Sequence, residues 1–239
     1  MRLLCINPNT DAAVTARVAA AIRGFLPART EVIEATGRFG APYIASRASF
    51  AIGGHSALDA LARHAERPLD AVLLACFGDP ALQALRELSA VPVIGMAEAS
   101  CFAAAAQEGG FSIVTGGHAW QPMLAEFVAG VGLSDRLVSI RTTTLTGGEI
   151  GRAPEAAALI EEITACQRDG AARVILAGAG LAGLAAGLRR LSPVPIVDCV
   201  EATAVAALDA VAARRKAGHG ASTSPEAAAF GRSGALNHQ

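Results

Sequence analysis

The chain has 239 residues, 52% of them hydrophobic and 17% charged, with a formal net charge of -1. That is enough for a substantial core in one large domain or two lobes. The balance leaves no basic footprint for nucleic acid and no polybasic membrane patch. In chain order, short apolar runs predict strands at 2–6, 31–35, 71–75, 92–95, 111–115, 137–141, 172–177 and 194–198. Amphipathic, Ala- and Leu-rich segments predict helices at 11–25, 47–66, 80–88, 98–108, 118–129, 154–169, 181–190 and 201–216. Continuous rather than alternating apolar strands, separated by helices, argue for parallel sheets covered on both faces, hence an α/β class. The small, polar stretch 217–239, with His219 and His238, reads as a disordered tail.

The opening MRLLCINPNTD holds too short an apolar stretch for a signal peptide, and no segment approaches the ~20 apolar residues that span a bilayer. Five cysteines (Cys5, Cys76, Cys101, Cys166 and Cys199) include no CxxC pair, and the histidines lack ligand spacing. The expectation is a cytoplasmic protein with reduced thiols, no disulfide framework and no metal.

An internal repeat sharpens the fold. LRELSAVPVIGMAEA (85–99) and LRRLSPVPIVDCVEA (188–202) agree at eight of fifteen positions, and VLLAC (72–76) falls on VILAG (174–178). Duplication predicts two similar lobes of about four strands each. Residues 1–97 form the first, with helix 201–216 as a candidate to complete it, and 98–200 form the second. The C-terminal ends of the strands would then face a shared cleft.

Three strand-end loops offer chemistry. INPNTD (6–11) caps a helix, and its amides and backbone N–H groups also suit a carboxylate or imide oxygen. ACFGDP (75–80) places Cys76 at a strand end, with Gly78 free to turn and Pro80 suited to a first helical turn. A helix N-terminus there would lower the thiol pKa; a buried structural cysteine is the alternative. AGAGLAG (177–183) contains GxGxxG, but no acidic residue stands convincingly about 20 residues on, so a loop of N–H groups around an anion reads better than a dinucleotide site.

With INPNT, ACFGDP, PVIGMAEA and VILAGAGLAGL in order through residues 3–202, the chain resembles the aspartate/glutamate/hydantoin racemase superfamily, and within it the hydantoin and allantoin racemase branch. The resemblance implies a cofactor-independent enzyme of two pseudo-symmetric lobes, commonly a homo-oligomer. Two cysteines would face each other across a cleft, moving a proton at a carbon beside a carbonyl. It carries one thiol onto Cys76 and the other onto position 178, where this chain has Gly178. Substitutes for the second acid/base are Cys199 and His118. Substrate contacts are expected from Asn9, Thr10, Phe77, Gly78, Thr115, Gly117, Ala179 and Gly180, with Pro42 and Tyr43 on a loop at 37–46 that lines or covers the cleft. The substrate class is a hydantoin-like ring or small amino-acid derivative with carboxylate or imide groups. Without a second thiol, a one-cysteine decarboxylase or lyase, a cysteine-nucleophile hydrolase and a ligand binder without catalysis stay open.

Overall fold

The computed structural model describes residues 1–144 and 156–218. The expected tail from 219 onward, with His219 and His238, lies outside the described residues, as do positions 154 and 155 of the helix expected at 154–169. The strands are β1 (Arg2–Asn7), β2 (Glu31–Thr36), β3 (Ala71–Leu74), β4 (Val93–Gly95), β5 (Phe111–Gly116), β6 (Leu137–Thr143), β7 (Arg173–Leu176) and β8 (Ile196–Asp198). The helices are α1 (Ala12–Arg23), α2 (Arg47–Ala62), α3 (Leu82–Leu88), α4 (Met96–Ala105), α5 (Trp120–Gly130), α6 (Ala156–Arg168), α7 (Ala185–Leu188) and α8 (Cys199–Lys216). Two four-stranded parallel sheets result, in the orders β2-β1-β3-β4 and β6-β5-β7-β8.

Strand periodicity divides each sheet between two cores. Leu3, Cys5 and Leu73 of the first sheet, and Phe111, Ile113 and Ile175 of the second, point into one core shared by both sheets. Their neighbours Leu4, Ile6, Val72 and Leu74 turn to an outer core with Ala57, Leu61 and Leu85. On the second sheet Val114, Val174 and Leu176 do the same with Leu159, Ile163 and Leu188. Both faces being covered explains why these strands read as unbroken apolar runs. The last helix also crosses over: α8 packs on β3, β4 and α1 as well as β8, while α4 packs on β7 and β8 as well as β4. Among the described residues no helix is long and apolar enough to cross a membrane.

The repeat is written in hydrogen bonds. Ser89 Oγ donates to Val91 O at 2.8 Å, and Ser192 Oγ to Val194 O at 2.5 Å. Arg86 reaches Val93 O and pairs with Glu98; Arg189 reaches Ile196 O and pairs with Glu201.

Two expected helices are corrected. The helix expected at 80–88 starts at Leu82, because Ala81 before it is left-handed at φ 60°, so Pro80 stands in the preceding turn. The helix expected at 181–190 shrinks to Ala185–Leu188. Ala182 is extended and Gly183 has φ 88°, which interrupts any helix entering from the glycine loop.

Candidate active site

Register aligns the exits of four strands, two in each sheet. Ile6 pairs with Leu74 and Val114 with Leu176, so the chain leaves β1, β3, β5 and β7 at the same level in their sheets. After β1, the Asn7 side chain donates to Asn9 Oδ1 at 2.7 Å and to Thr15 Oγ1 at 3.0 Å, and Asp11 N donates to Asn9 Oδ1 at 3.0 Å. Asp11 caps α1 through Ala13 N at 2.9 Å. The amide oxygen of Asn9 is therefore spent on the loop itself, and its Nδ2 meets no acceptor among the described residues. Thr10 N is held by Ala41 O at 3.1 Å, which keeps its hydroxyl as its available group.

After β3, Cys76 is 8% exposed at the start of a tight turn closed by Asp79 N donating to Cys76 O at 3.1 Å. Gly78 has φ 123°, and a Cβ there would lie 2.8 Å from Cζ3 of Trp120. No acceptor among the described residues takes the N–H of Phe77 or Gly78. The expected depression of the thiol pKa by a helix dipole is corrected. The helix begins beyond the turn, and burial first, then the Asp79 carboxylate, push the Cys76 thiol up.

After β7, Gly178 has φ 124° and ψ 136°, a region for glycine alone. A Cβ at Gly178 would meet only Thr115 Oγ1, at 3.5 Å, so the space that a side chain would fill opens on that hydroxyl. The N–H groups of Ala179 and Gly180 have no acceptor among the described residues, whereas Gly180 O accepts from Arg17 Nη1 at 3.0 Å.

Contacts between the sheets close around these loops. The Tyr43 hydroxyl donates to Gly116 O at 2.9 Å and lies beside Gly117, while Pro42 next to it is exposed. Trp120 meets Phe50 edge-on with ring centroids 6.2 Å apart, and Arg47 pairs with Glu126 at 2.5 Å. A cavity of about 510 Å³ opens beside Gly78 and Asp79, walled by Phe50, Trp120, Met123 and Phe127.

The two candidate substitutes for a second thiol are placed differently with respect to Gly178. Cys199 is 1% exposed at the start of α8, its Sγ donating to Gly178 O at 4.0 Å. Burial first, then Asp198, push its thiol up to about 12. The His118 ring Nδ1 lies 2.6 Å from Thr142 Oγ1 on β6, on the opposite side of β5 from β7 and Gly178. Sequence reading missed Trp120, Arg17 and the use made of Asp79. The last was within reach, since the repeat sets Asp79 against Leu181 and Gly95 against Asp198.

A family model described as Asp/Glu/Hydantoin racemase matches residues 3–207. A hydantoin racemase of Paenarthrobacter aurescens is 34% identical over 208 residues, covering 84% of this chain and 87% of that protein. An allantoin racemase from Klebsiella pneumoniae superposes with a TM-score of 0.84 at 31% identity, over 95% of this chain and 93% of that one. The allantoin racemase of Pseudomonas fluorescens gives 0.84 at 27% identity, over 95% and 96%.

Proposed function

Because the chain belongs to the Asp/Glu/hydantoin racemase family and is a racemase-type isomerase, we propose that it inverts the carbon beside a carbonyl in a hydantoin-like ring, with Cys76 as its proton-carrying thiol and no cofactor. What supports this reading is the buried Cys76 at the end of β3, together with N–H groups at Phe77, Gly78, Ala179 and Gly180 that meet no acceptor among the described residues. As the Cys76 thiolate takes the C–H proton it becomes a thiol, and the charge moves to the carbonyl oxygen, where such N–H groups stabilise it. The raised thiol pKa makes the thiolate scarce but strongly basic, as a carbon acid requires.

On the opposite face the glycine at 178 leaves room for water beside Thr115 Oγ1. That water gives its proton to the carbanion, and the hydroxide formed recovers the thiol proton through solvent. Asn9 Nδ2, Thr10 and Gly117 are the remaining substrate contacts in this reading, and Tyr43 and Pro42 belong to the loop that covers the ring. Five free thiols suit a reducing compartment, the cytoplasm.

Single enantiomers of 5-substituted hydantoins, allantoin, Asp and Glu, followed by chiral chromatography against Cys76→Ser, test the substrate class. A hydantoin or allantoin should lose enantiomeric purity above the control. Turnover of Asp or Glu with both rings untouched would overturn the ring assignment.

A further inference from the structure

The internal repeat allows the thiol loop to be compared with its counterpart, and at one pair of positions the two copies have exchanged chemistry. In the second copy α8 is capped by its own Asp198, which accepts from Val200 N at 2.9 Å, and the loop position is the buried Leu181. In the first copy the N-cap of α4 is Gly95, with nearly the same backbone as Asp198 (φ -81°, ψ 134° against φ -80°, ψ 120°). Its capping carboxylate comes from the thiol loop instead. Asp79 accepts from Ala97 N at 3.0 Å and from Glu98 N at 2.8 Å. A Cβ built on Gly95 would fall inside that carboxylate.

Helix α4 does not need this arrangement, since a self-cap of the Asp198 kind serves α8 with the same backbone. What the borrowed cap changes is the loop. Asp79 (φ 55°) and Ala81 (φ 60°) are left-handed, and no other described residue except glycine is. Such conformations persist only when the surroundings hold them, and Asp tolerates them better than Leu. Asp79 is held on both sides, by its carboxylate on α4 and by its N–H on Cys76 O.

We propose that Asp79 is a positioning residue for Cys76: anchored to α4, it fixes the turn that aims the thiol and the N–H groups of Phe77 and Gly78. This rests on the reading of Cys76 as the reacting thiol. The titratable groups facing the Asp79 carboxyl are Cys76 on its own loop, Arg86 on α3, and Glu98 and Cys101 on α4.

The test transplants the arrangement of the second copy. D79L, D79L/G95D and D79N are compared with the parent by melting temperature, by kcat and KM on a hydantoin, and by iodoacetamide alkylation of the Cys76 peptide over a pH series. In D79L/G95D the helix is capped again, so the melting temperature should return toward the parent value. The turn stays released, while the capping carboxylate now comes from position 95 instead of from the thiol loop. Cys76, no longer held in a closed and buried turn, should therefore alkylate about tenfold faster at neutral pH, and kcat should fall about tenfold with KM little changed. A double variant with the parent's alkylation rate and kcat would reduce Asp79 to a helix cap and overturn the proposal. D79N keeps the left-handed tolerance and one acceptor, so it should retain more kcat than the double variant. An equal loss in both would move the role from position to charge and overturn it as well. Should the double variant not fold, the ratio of kcat between D79N and the parent decides alone, with a tenfold loss overturning the proposal. Alkylation needs no substrate, so it tests the positioning role even if no hydantoin is turned over.

Discussion

Asp79 also ties stability to pH. Burial, opposed by the N–H groups of Glu98 and Ala97, raises its carboxyl from the ordinary 3.8 to about 7. A carboxyl raised on folding contributes stability that is fully present below the unfolded value and is lost as pH rises through the folded one. The melting temperature of the parent should therefore fall relative to D79N between pH 3.8 and about 7. Parallel pH profiles for the two proteins would contradict the burial of a titrating carboxyl. At Gly178 the expectation has two parts. Gly178→Cys places a side chain in a glycine-only conformation, which costs about 1–3 kcal/mol, so calorimetry should show a lower melting temperature. The new Cβ nevertheless finds room, with Thr115 Oγ1 at 3.5 Å. A second thiol in that space should raise the rate of inversion read by chiral chromatography. A folded variant with no gain would show that the second face is not limiting.

At the level of elements, the arginines that tie each copy's α3-like turn to its last strand have matching roles. Arg86 holds Val93 O and Glu98, and Arg189 holds Ile196 O and Glu201. Their pairs are partly exposed, so each substitution to Ala should cost only about 1 kcal/mol. The two losses should be similar by thermal denaturation; a loss confined to one would show that the copies have diverged beyond their loops. This divergence is also where the sequence stops being legible. Strands such as Ala71–Leu74 and Arg173–Leu176 could be read directly, because burial on both faces leaves unbroken apolar runs. Eight identities exposed the repeat. The start of α3 and the extent of α7 could not be read, because they depend on left-handed residues at Ala81 and Gly183, which no apolar pattern announces. Cys76 stood out as a thiol at a strand end. The direction of its pKa did not, since burial and the Asp79 charge come from packing rather than from neighbours in sequence. Trp120 was hidden for the same reason: it reaches Gly78 from the start of α5, which follows a strand of the other sheet.

For the whole molecule, Tyr43 joins the loops of the two sheets, its hydroxyl donating to Gly116 O at 2.9 Å. Bonds from the same loop to the first sheet run from Thr10 N to Ala41 O and from Gly37 N to Asn7 O. Removing one partly buried hydroxyl should weaken closure by about 1 kcal/mol. Tyr43→Phe should therefore exchange amide hydrogens faster over residues 37–46 and show a higher KM. Unchanged exchange would mean that the loop is held without the clasp. The central claim is that one thiol moves the proton and the opposite face needs no second one. The most direct measurement follows a single hydantoin enantiomer in D2O by proton NMR and chiral chromatography, with the parent, Cys76→Ser and Cys199→Ser side by side. Inverted product carrying deuterium is expected from the parent and from Cys199→Ser, and neither label nor inversion above background from Cys76→Ser. Exchange that survives in Cys76→Ser, or that disappears in a folded Cys199→Ser, would contradict that claim.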